Sequence, residues 1–253
     1  MEKMRTFGII VAMPEERRAL QARADRIKKR IIDSVPLYEG IIEGKKVCIA
    51  EAGMGVVAAT RAARILTVEA EPAMLISAGF CGAVRDGATV ADIVVCGQLF
   101  SLDENGLNQI SLPGSELIAT RLSAELQGKG VRAWHGSFIT AALIISKSEI
   151  SLRLPEQIKT PVLEMESSAV ALAAAAAGIP FLGLRAVTDP ADEELDFSLS
   201  ELCDEQLRIS IMRVILSCIK KPRIIPQLAR LASNSSKAQK SLGRAVELIM
   251  PIL

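Results

Sequence analysis

The chain is poor in the side chains on which many active sites depend. Among its 253 residues there is one histidine, His135, with only one tryptophan, one tyrosine and six phenylalanines. A Ser-His-Asp or Cys-His nucleophile system would have to use that single imidazole, and a multi-histidine zinc or iron site cannot be built. The scarcity of aromatics removes the base-stacking platform of single-strand binders. A balance of 30 basic against 29 acidic side chains removes the bulk attraction to a phosphate backbone. Nucleic acid is therefore not an expected partner.

A CxxC pair and a long apolar run are also missing. The five cysteines, Cys48, Cys81, Cys96, Cys203 and Cys218, are odd in number, widely spaced and set in apolar surroundings, as suits small buried thiols in a reducing compartment. The first residues carry charges at Glu2, Lys3 and Arg5 without the apolar stretch and cleavage site of a secretory signal. The longest uncharged run, Ser167 to Leu184, is interrupted by Gly178-Ile179-Pro180 and reads as a buried helix followed by a buried strand, since a bilayer span takes about 20 apolar residues. A cytoplasmic protein is the expectation.

What the sequence does contain is alternation. Strand-length apolar runs alternate with segments of helical period, the pattern of an α/β protein with a buried sheet. Phe7 to Ala12 reads as a strand, and Pro14, Glu15 and Glu16 then open a helix expected to reach Lys29, with proline at its first position and acids facing the helix dipole. Leu37 to Ile42 and Lys46 to Glu51 read as a hairpin, Val56 to Glu69 as a helix, and Ala73 to Ala78 and Asp92 to Cys96 as strands. Leu99 to Pro113 reads as a long polar loop, followed by a helix from Gly114 to Gln127 and short strands at Val131 to Ile139 and Leu143 to Ile145. A helix is expected to open near Glu164, feeding the strand Phe181 to Val187, and Leu199 to Ile219 has helical period. From Lys220 the composition turns basic: Lys220, Lys221, Arg223, Arg230, Lys237, Lys240 and Arg244 stand against one acid, Glu247. The domain reading is 1–219 as the α/β body and 220–253 as a basic helical extension. The extension reads as a solvated appendage, an oligomer contact or a peripheral membrane contact.

Three acidic clusters fall at the ends of these elements: Glu15-Glu16, Glu164-Met165-Glu166, and Asp189 with Asp192. In open α/β sheets the carboxyl ends of strands and the helix starts after them converge on the ligand crevice, so all three clusters can meet there. Each alone also has a local explanation, as a first-turn charge or a cap. Gly53-Met54-Gly55 lacks the third glycine of a dinucleotide fingerprint and the lysine of a phosphate loop, and reads as a tight strand-to-helix turn. Gly79-Phe80-Cys81-Gly82 permits close backbone approach, and Cys81 could act as a nucleophile only if His135 activated it. From the residues alone, the reading is an α/β enzyme working with carboxylates.

Several motifs extend this reading. Gly8-Ile9-Ile10-Val11-Ala12-Met13-Pro14-Glu15-Glu16, Ala52-Gly53-Met54-Gly55-Val56-Val57-Ala58-Ala59, Ile76-Ser77-Ala78-Gly79-Phe80-Cys81-Gly82, Asp92-Ile93-Val94-Val95, Leu163-Glu164-Met165-Glu166-Ser167-Ser168-Ala169 and Arg185-Ala186-Val187-Thr188-Asp189-Pro190-Ala191-Asp192 occur in this order. With them the chain resembles the purine nucleoside phosphorylase and uridine phosphorylase superfamily, and within it the 5'-methylthioadenosine/S-adenosylhomocysteine nucleosidases, over about residues 5–219. The resemblance implies a three-layer α/β/α fold with a central mixed, twisted sheet. It implies cleavage of a nucleoside N-glycosidic bond, with no metal or other cofactor, in a homodimer. By the same resemblance Asp189 is the acid for the purine, with Thr188 beside it. Glu166 holds the ribose hydroxyls, Met165 packs on the sugar, Glu16 activates water, and Arg185 and Glu164 support them.

The departures from the pattern bear on the substrate. Phe80 replaces a serine, Ile144 replaces a phenylalanine that stacks on the base, Ala142 replaces an aspartate, and Leu102 to Gly114 holds no aromatic residue. The base and the 5' group are then expected to meet Met165, Ile144, Ile145, Phe80 and Phe197. The segment Ile225 to Ala232 resembles the extension of hopanoid-associated phosphorylases, which implies an adenosylated hopane as the alternative substrate and phosphate as the alternative nucleophile. Two readings of another class stand beside the enzyme: a catalytically silent nucleoside-binding protein, and a membrane-associated interaction protein acting through its tail.

Overall fold

A computed structural model of the chain describes residues 5–85, 87–104, 106–143, 145–193 and 221–253. The expectations for Ile144, Phe197 and a helix over Leu199 to Ile219 concern positions outside the described residues.

Ten strands form one mixed sheet with helices on both faces, as the fold reading expects. Strand β1 (Thr6–Val11) lies between β4 (Lys45–Glu51) and β5 (Met74–Ala83), parallel to both. Beyond β4 the sheet continues antiparallel through β3 (Val35–Ile42) to the edge strand β2 (Asp25–Ile32). On the other side, β10 (Phe181–Asp189) pairs with β5 in parallel and with β6 (Ile93–Asp103) antiparallel. Strands β8 (Ala133–Ala141) and β9 (Pro161–Glu164) complete a closed circuit, because β8 pairs with β6 and β9 returns to β5.

Side chains alternate across β1, so Ile9 and Ile10 enter different cores. Ile10 packs with Ala59, Ala62, Ala63 and Leu66 of α2 (Val56–Ala70) and with Val170 and Ala174 of α5 (Ser167–Ala177). Ile9 joins Leu20 of α1 (Pro14–Gln21), Leu122 and Leu126 of α3 (Ser115–Gly128), and Leu242 and Val246 of α6 (Ile225–Ile249). The alanines of α2 and α5 let those two helices lie close to each other and to the sheet.

Four local expectations change. Helix α1 ends at Gln21, and Asp25 to Ile32 is strand β2, whose Lys28, Lys29 and Arg30 pair with Glu39, Tyr38 and Leu37 of β3. The charge-rich run satisfies a helical pattern locally, but backbone pairing with β3 decides its conformation. The stretch Leu99 to Pro113 is mainly a hairpin: β6 runs to Asp103 and β7 (Gly106–Ile110) folds back on it, with Leu102 opposite Leu107. Neither Leu143 nor Ile145 is in a strand, and helix α4 (Lys147–Arg153) follows them. Glu164 is the last residue of β9, and α5 opens at Ser167.

Within the basic extension, Ile225–Ile249 forms helix α6. One stripe of α6, with Ala238, Leu242, Ala245, Val246 and Ile249, is buried in the larger core. Gly243 lets α6 cross α1 closely, since a Cβ there would stand 2.6 Å from the Ala19 carbonyl oxygen. Its cationic side chains Lys237, Lys240 and Arg244 face solvent, and Arg244 pairs with Glu247 at 2.8 Å. Local composition shows a basic tail, whereas the apolar stripe shows what the tail rests on. Among the described residues no helix is long and apolar enough to cross a membrane.

Candidate active site

Parallel strands β1, β5 and β10 bring their carboxyl ends to one rim of the sheet, and β9, antiparallel to β5, sets Glu164 beside the same stretch. The three acidic motifs of the sequence are attached to these strand ends.

Glu16 leaves the first turn of α1 and folds back over the end of β1. Its Oε2 accepts hydrogen bonds from the backbone N–H groups of Ala12 and Met13 at 2.7 and 2.9 Å, and its Oε1 accepts from the N–H of Phe80 on β5 at 2.7 Å. Glu16 therefore does both things its position suggests, capping α1 and reaching across to the next strand. Burial pushes its carboxyl above the ordinary range, opposed by Arg185 and the three amides.

Arg185 on β10 is the centre of the cluster. It lies opposite Gly79 in the β5–β10 register, and a Cβ on Gly79 would collide with both the Arg185 guanidinium and the Glu16 carboxylate. Its Nη2 is shared among Glu164 Oε2 at 2.5 Å, Ser77 Oγ at 3.0 Å, Ser167 Oγ at 3.1 Å and Glu166 Oε2 at 3.3 Å, while its Nε has no partner among the described residues. Burial works against the charge, but Glu164, Glu166 and Glu16 outweigh it and keep the guanidinium protonated.

Glu164 and Glu166 divide their roles by environment. Glu164 Oε1 accepts from the Thr140 hydroxyl, and its Oε2 caps α5 by accepting from the N–H groups of Glu166 and Ser167 at 3.0 and 2.8 Å. Burial raises its pKa, but Arg185 and Thr140 overcome that and hold it below the usual carboxylate value. Glu166 Oε1 accepts from the Gly55 N–H at 2.9 Å, in the Gly53–Gly55 turn before α2. Burial, opposed by Arg185 and reinforced by Glu164 and Glu16, lifts its carboxyl to about 7. One guanidinium thus neutralises Glu164 and leaves a second carboxyl poised near neutrality.

Asp189 ends β10, where its backbone pairs with Gly82 after a register shift. The Thr188 hydroxyl donates to Asp189 Oδ1 at 2.7 Å and lies 3.2 Å from the Cys81 carbonyl oxygen, while Lys147 Nζ donates to Asp189 Oδ2 at 2.9 Å. Cys81 is buried among these groups. Its thiol is pushed well up by burial, with Arg185 opposing and Asp189, Glu164 and Glu16 adding to the rise, so it stays a neutral thiol. His135 sits on β8 against Glu116 of α3.

The structure therefore joins Glu164, Glu166 and Arg185 in one bonded network, with the Glu16 carboxylate and the Arg185 guanidinium both standing over Gly79 and with Asp189 and Thr188 on the same rim. Met165 and Ile145 are half-buried, and Ile145 packs beside Ile150 and Leu154. The Phe80 side chain is in the main core, and its backbone N–H is the part that meets Glu16. Ile144 and Phe197 lie outside the described residues. Sequence reasoning missed Lys147, Thr140, Ser77, Ser167 and the Gly55 N–H. All are small or isolated polar groups in apolar or serine-rich contexts, and only the strand register brings them in.

Residues 6–220 match the model of the phosphorylase superfamily. The chain is 29% identical over 237 residues to the 5'-methylthioadenosine/S-adenosylhomocysteine nucleosidase of Listeria innocua, covering 83% of this chain and 98% of that protein. It is 30% identical over 210 residues to the nucleosidase of the same name from Haemophilus influenzae, covering 77% and 90%. Solved structures share the fold at lower identity. The Helicobacter pylori 5'-methylthioadenosine/S-adenosylhomocysteine nucleosidase, in complex with a substituted pyrrolidin-3-ol, aligns over 100% of both chains with a TM-score of 0.75 and 16% identity. Futalosine hydrolase of the same species covers 99% of both chains with a TM-score of 0.74 and 15% identity. The chain belongs to the phosphorylase superfamily and is an enzyme of its nucleosidase and phosphorylase kind.

Proposed function

We propose that the enzyme hydrolyses the N-glycosidic bond of a 5'-substituted adenine nucleoside of the methylthioadenosine and adenosylhomocysteine type, releasing adenine. The observation that carries this reading is the fixed carboxylate of Glu16, held by three backbone N–H groups inside a site whose cation is already committed to Glu164.

As the C1'–N9 bond breaks, its electron pair moves into the purine and the sugar becomes oxocarbenium-like. Asp189 gives a proton to N7, so the base leaves neutral. A water molecule adds its oxygen to C1' and gives a proton to Glu16. A base works best with a pKa near the working pH, and burial moves Glu16 in that direction. Glu166, anchored by the Gly55 N–H and Arg185, receives the ribose hydroxyls, with Met165 against the sugar. Arg185 and Glu164 keep this frame rigid, and Thr188 orients Asp189.

The relatives named as methylthioadenosine/adenosylhomocysteine nucleosidases support the substrate class. Leu102, Leu107 and Ile145, each half-buried against the apolar cluster of Phe100, Ile139 and Ile150, support an apolar 5' substituent. Homodimer assembly belongs to the same proposal, supported by exposed Val57 on α2 and Leu172 on α5, helices that pack together. The test is adenine release from methylthioadenosine, adenosylhomocysteine and unsubstituted adenosine, each with and without phosphate. The reading expects phosphate-independent release with a preference for the two 5'-substituted substrates. A strict need for phosphate would replace hydrolysis by phosphorolysis.

A further inference from the structure

We propose that Lys147 is a positioning residue for the leaving-group acid, holding Asp189 by its Oδ2 and stabilising the carboxylate that forms when the proton goes to the base. This inference rests on the role of Asp189 given above.

Three features of the fold build the contact. Lys147 opens α4 and is almost fully buried, with Nζ donating to Asp189 Oδ2 at 2.9 Å and to the Pro190 carbonyl oxygen at 2.5 Å. A cation in the first turn of a helix opposes the helix dipole, so the helix itself gains nothing from a lysine there. The other end of α4 is gripped by Arg85, whose guanidinium donates to the carbonyl oxygens of Pro155 at 3.1 Å, Ile158 at 3.3 Å, Ser151 at 3.4 Å and Leu154. Arg85 lies two residues beyond β5, the strand that carries Gly82, and Gly82 makes the remaining space: a Cβ there would stand 2.5 Å from Asp189 Oδ2 and 3.3 Å from Lys147 Cδ. Strand β5, helix α4 and strand β10 thus converge on one ion pair.

The chemistry decides what that pair is for. In the role given above, Asp189 passes a proton to the base as the bond breaks and is a carboxylate afterwards. An ammonium touching Oδ2 attracts the second state far more than the first, so its effect grows along the reaction coordinate. It should appear in kcat and leave KM nearly unchanged. Arg185 is committed to Glu164, and the buried Cys81 thiol beside Asp189 is neutral.

The test uses Lys147→Met, which keeps the length of the side chain and removes the charge, Lys147→Arg, which keeps the charge, and Asp189→Asn, each checked for an unchanged thermal transition. With methylthioadenosine, Lys147→Met is expected to lower kcat about 10- to 100-fold with KM within about twofold, and Lys147→Arg to recover most of the loss. In the Asp189→Asn background Lys147→Met should cost no further activity, because the two act as one unit. An active Asp189→Asn enzyme would overturn the role of Asp189 itself. An inactive Asp189→Asn beside a fully active Lys147→Met would overturn the role of Lys147 alone. Should Lys147→Met not fold, Lys147→Arg and Lys147→Gln carry the comparison: equal activity in both contradicts a role for the charge.

Discussion

Arg185 donates to Glu164 at 2.5 Å, and neither side chain is more than 1% exposed. A buried pair of this kind contributes little net stability as a pair, yet breaking it leaves an uncompensated charge in the core at a cost of about 3–5 kcal/mol. Arg185→Met is therefore expected to destabilise the protein by about that amount in denaturant titrations at neutral pH. The loss should be smaller at acidic pH, where the three carboxyls left without a cation become neutral. A variant as stable as the parent at pH 7 would show that Arg185 does not hold the network.

Glu166 should leave a signature in stability against pH. Its carboxyl is raised from 4.5 to about 7 in the folded protein, so the folded state binds a proton that the unfolded chain releases first. The associated stability is fully present below pH 4.5 and is lost as pH rises through 7. Glu16 acts in the same sense. Glu166→Gln should flatten the decline between these pH values without abolishing it, read from unfolding midpoints across a pH series. An identical slope in the variant would contradict the environment described for Glu166.

Gly79 tests whether the close approach of Glu16 and Arg185 matters. Gly79→Ala places a methyl group against both charged ends, and overpacking of this kind costs about 1–3 kcal/mol. Activity should fall further than stability, because the carboxylate and guanidinium are the groups displaced. Gly128→Ala is the control: nothing lies within 4 Å of its Cβ position, so it should be neutral in both measurements.

Helix α6 gives a prediction about the tail. Because Leu242, Val246 and Ile249 share a core with Ile9 and Leu20, a chain ending at residue 220 should lack cooperative unfolding. Charge reversal on exposed Lys237 and Lys240 should leave the melting transition unchanged. A truncated chain that melts cooperatively would show the tail to be dispensable for the fold.

How far these features are legible in the sequence follows from range. The strands around Ile9 and Ile76 and the acids at their ends could be read because alternation, proline and helix-start acids are local signals. Glu16, Glu164, Glu166, Arg185 and Asp189 stand in recognisable motifs, but their meeting is a matter of register, with Arg185 opposite Gly79 and Asp189 opposite Gly82. Strand β2 was hidden because Asp25 to Ile32 carries a charged pattern that suits a helix until β3 is alongside. Lys147 was hidden for the opposite reason, since one lysine between serines has no pattern at all and acquires meaning only from Asp189, far away in sequence.

The central claim is that this site adds water to C1' of a nucleoside. The most direct measurement is mass spectrometry of the sugar released from methylthioadenosine in ¹⁸O-labelled water, with inorganic phosphate also present. The account predicts free adenine and a methylthioribose carrying one ¹⁸O, with none formed by Glu16→Gln at comparable enzyme concentration. Methylthioribose 1-phosphate as the product, or unlabelled sugar, would contradict it.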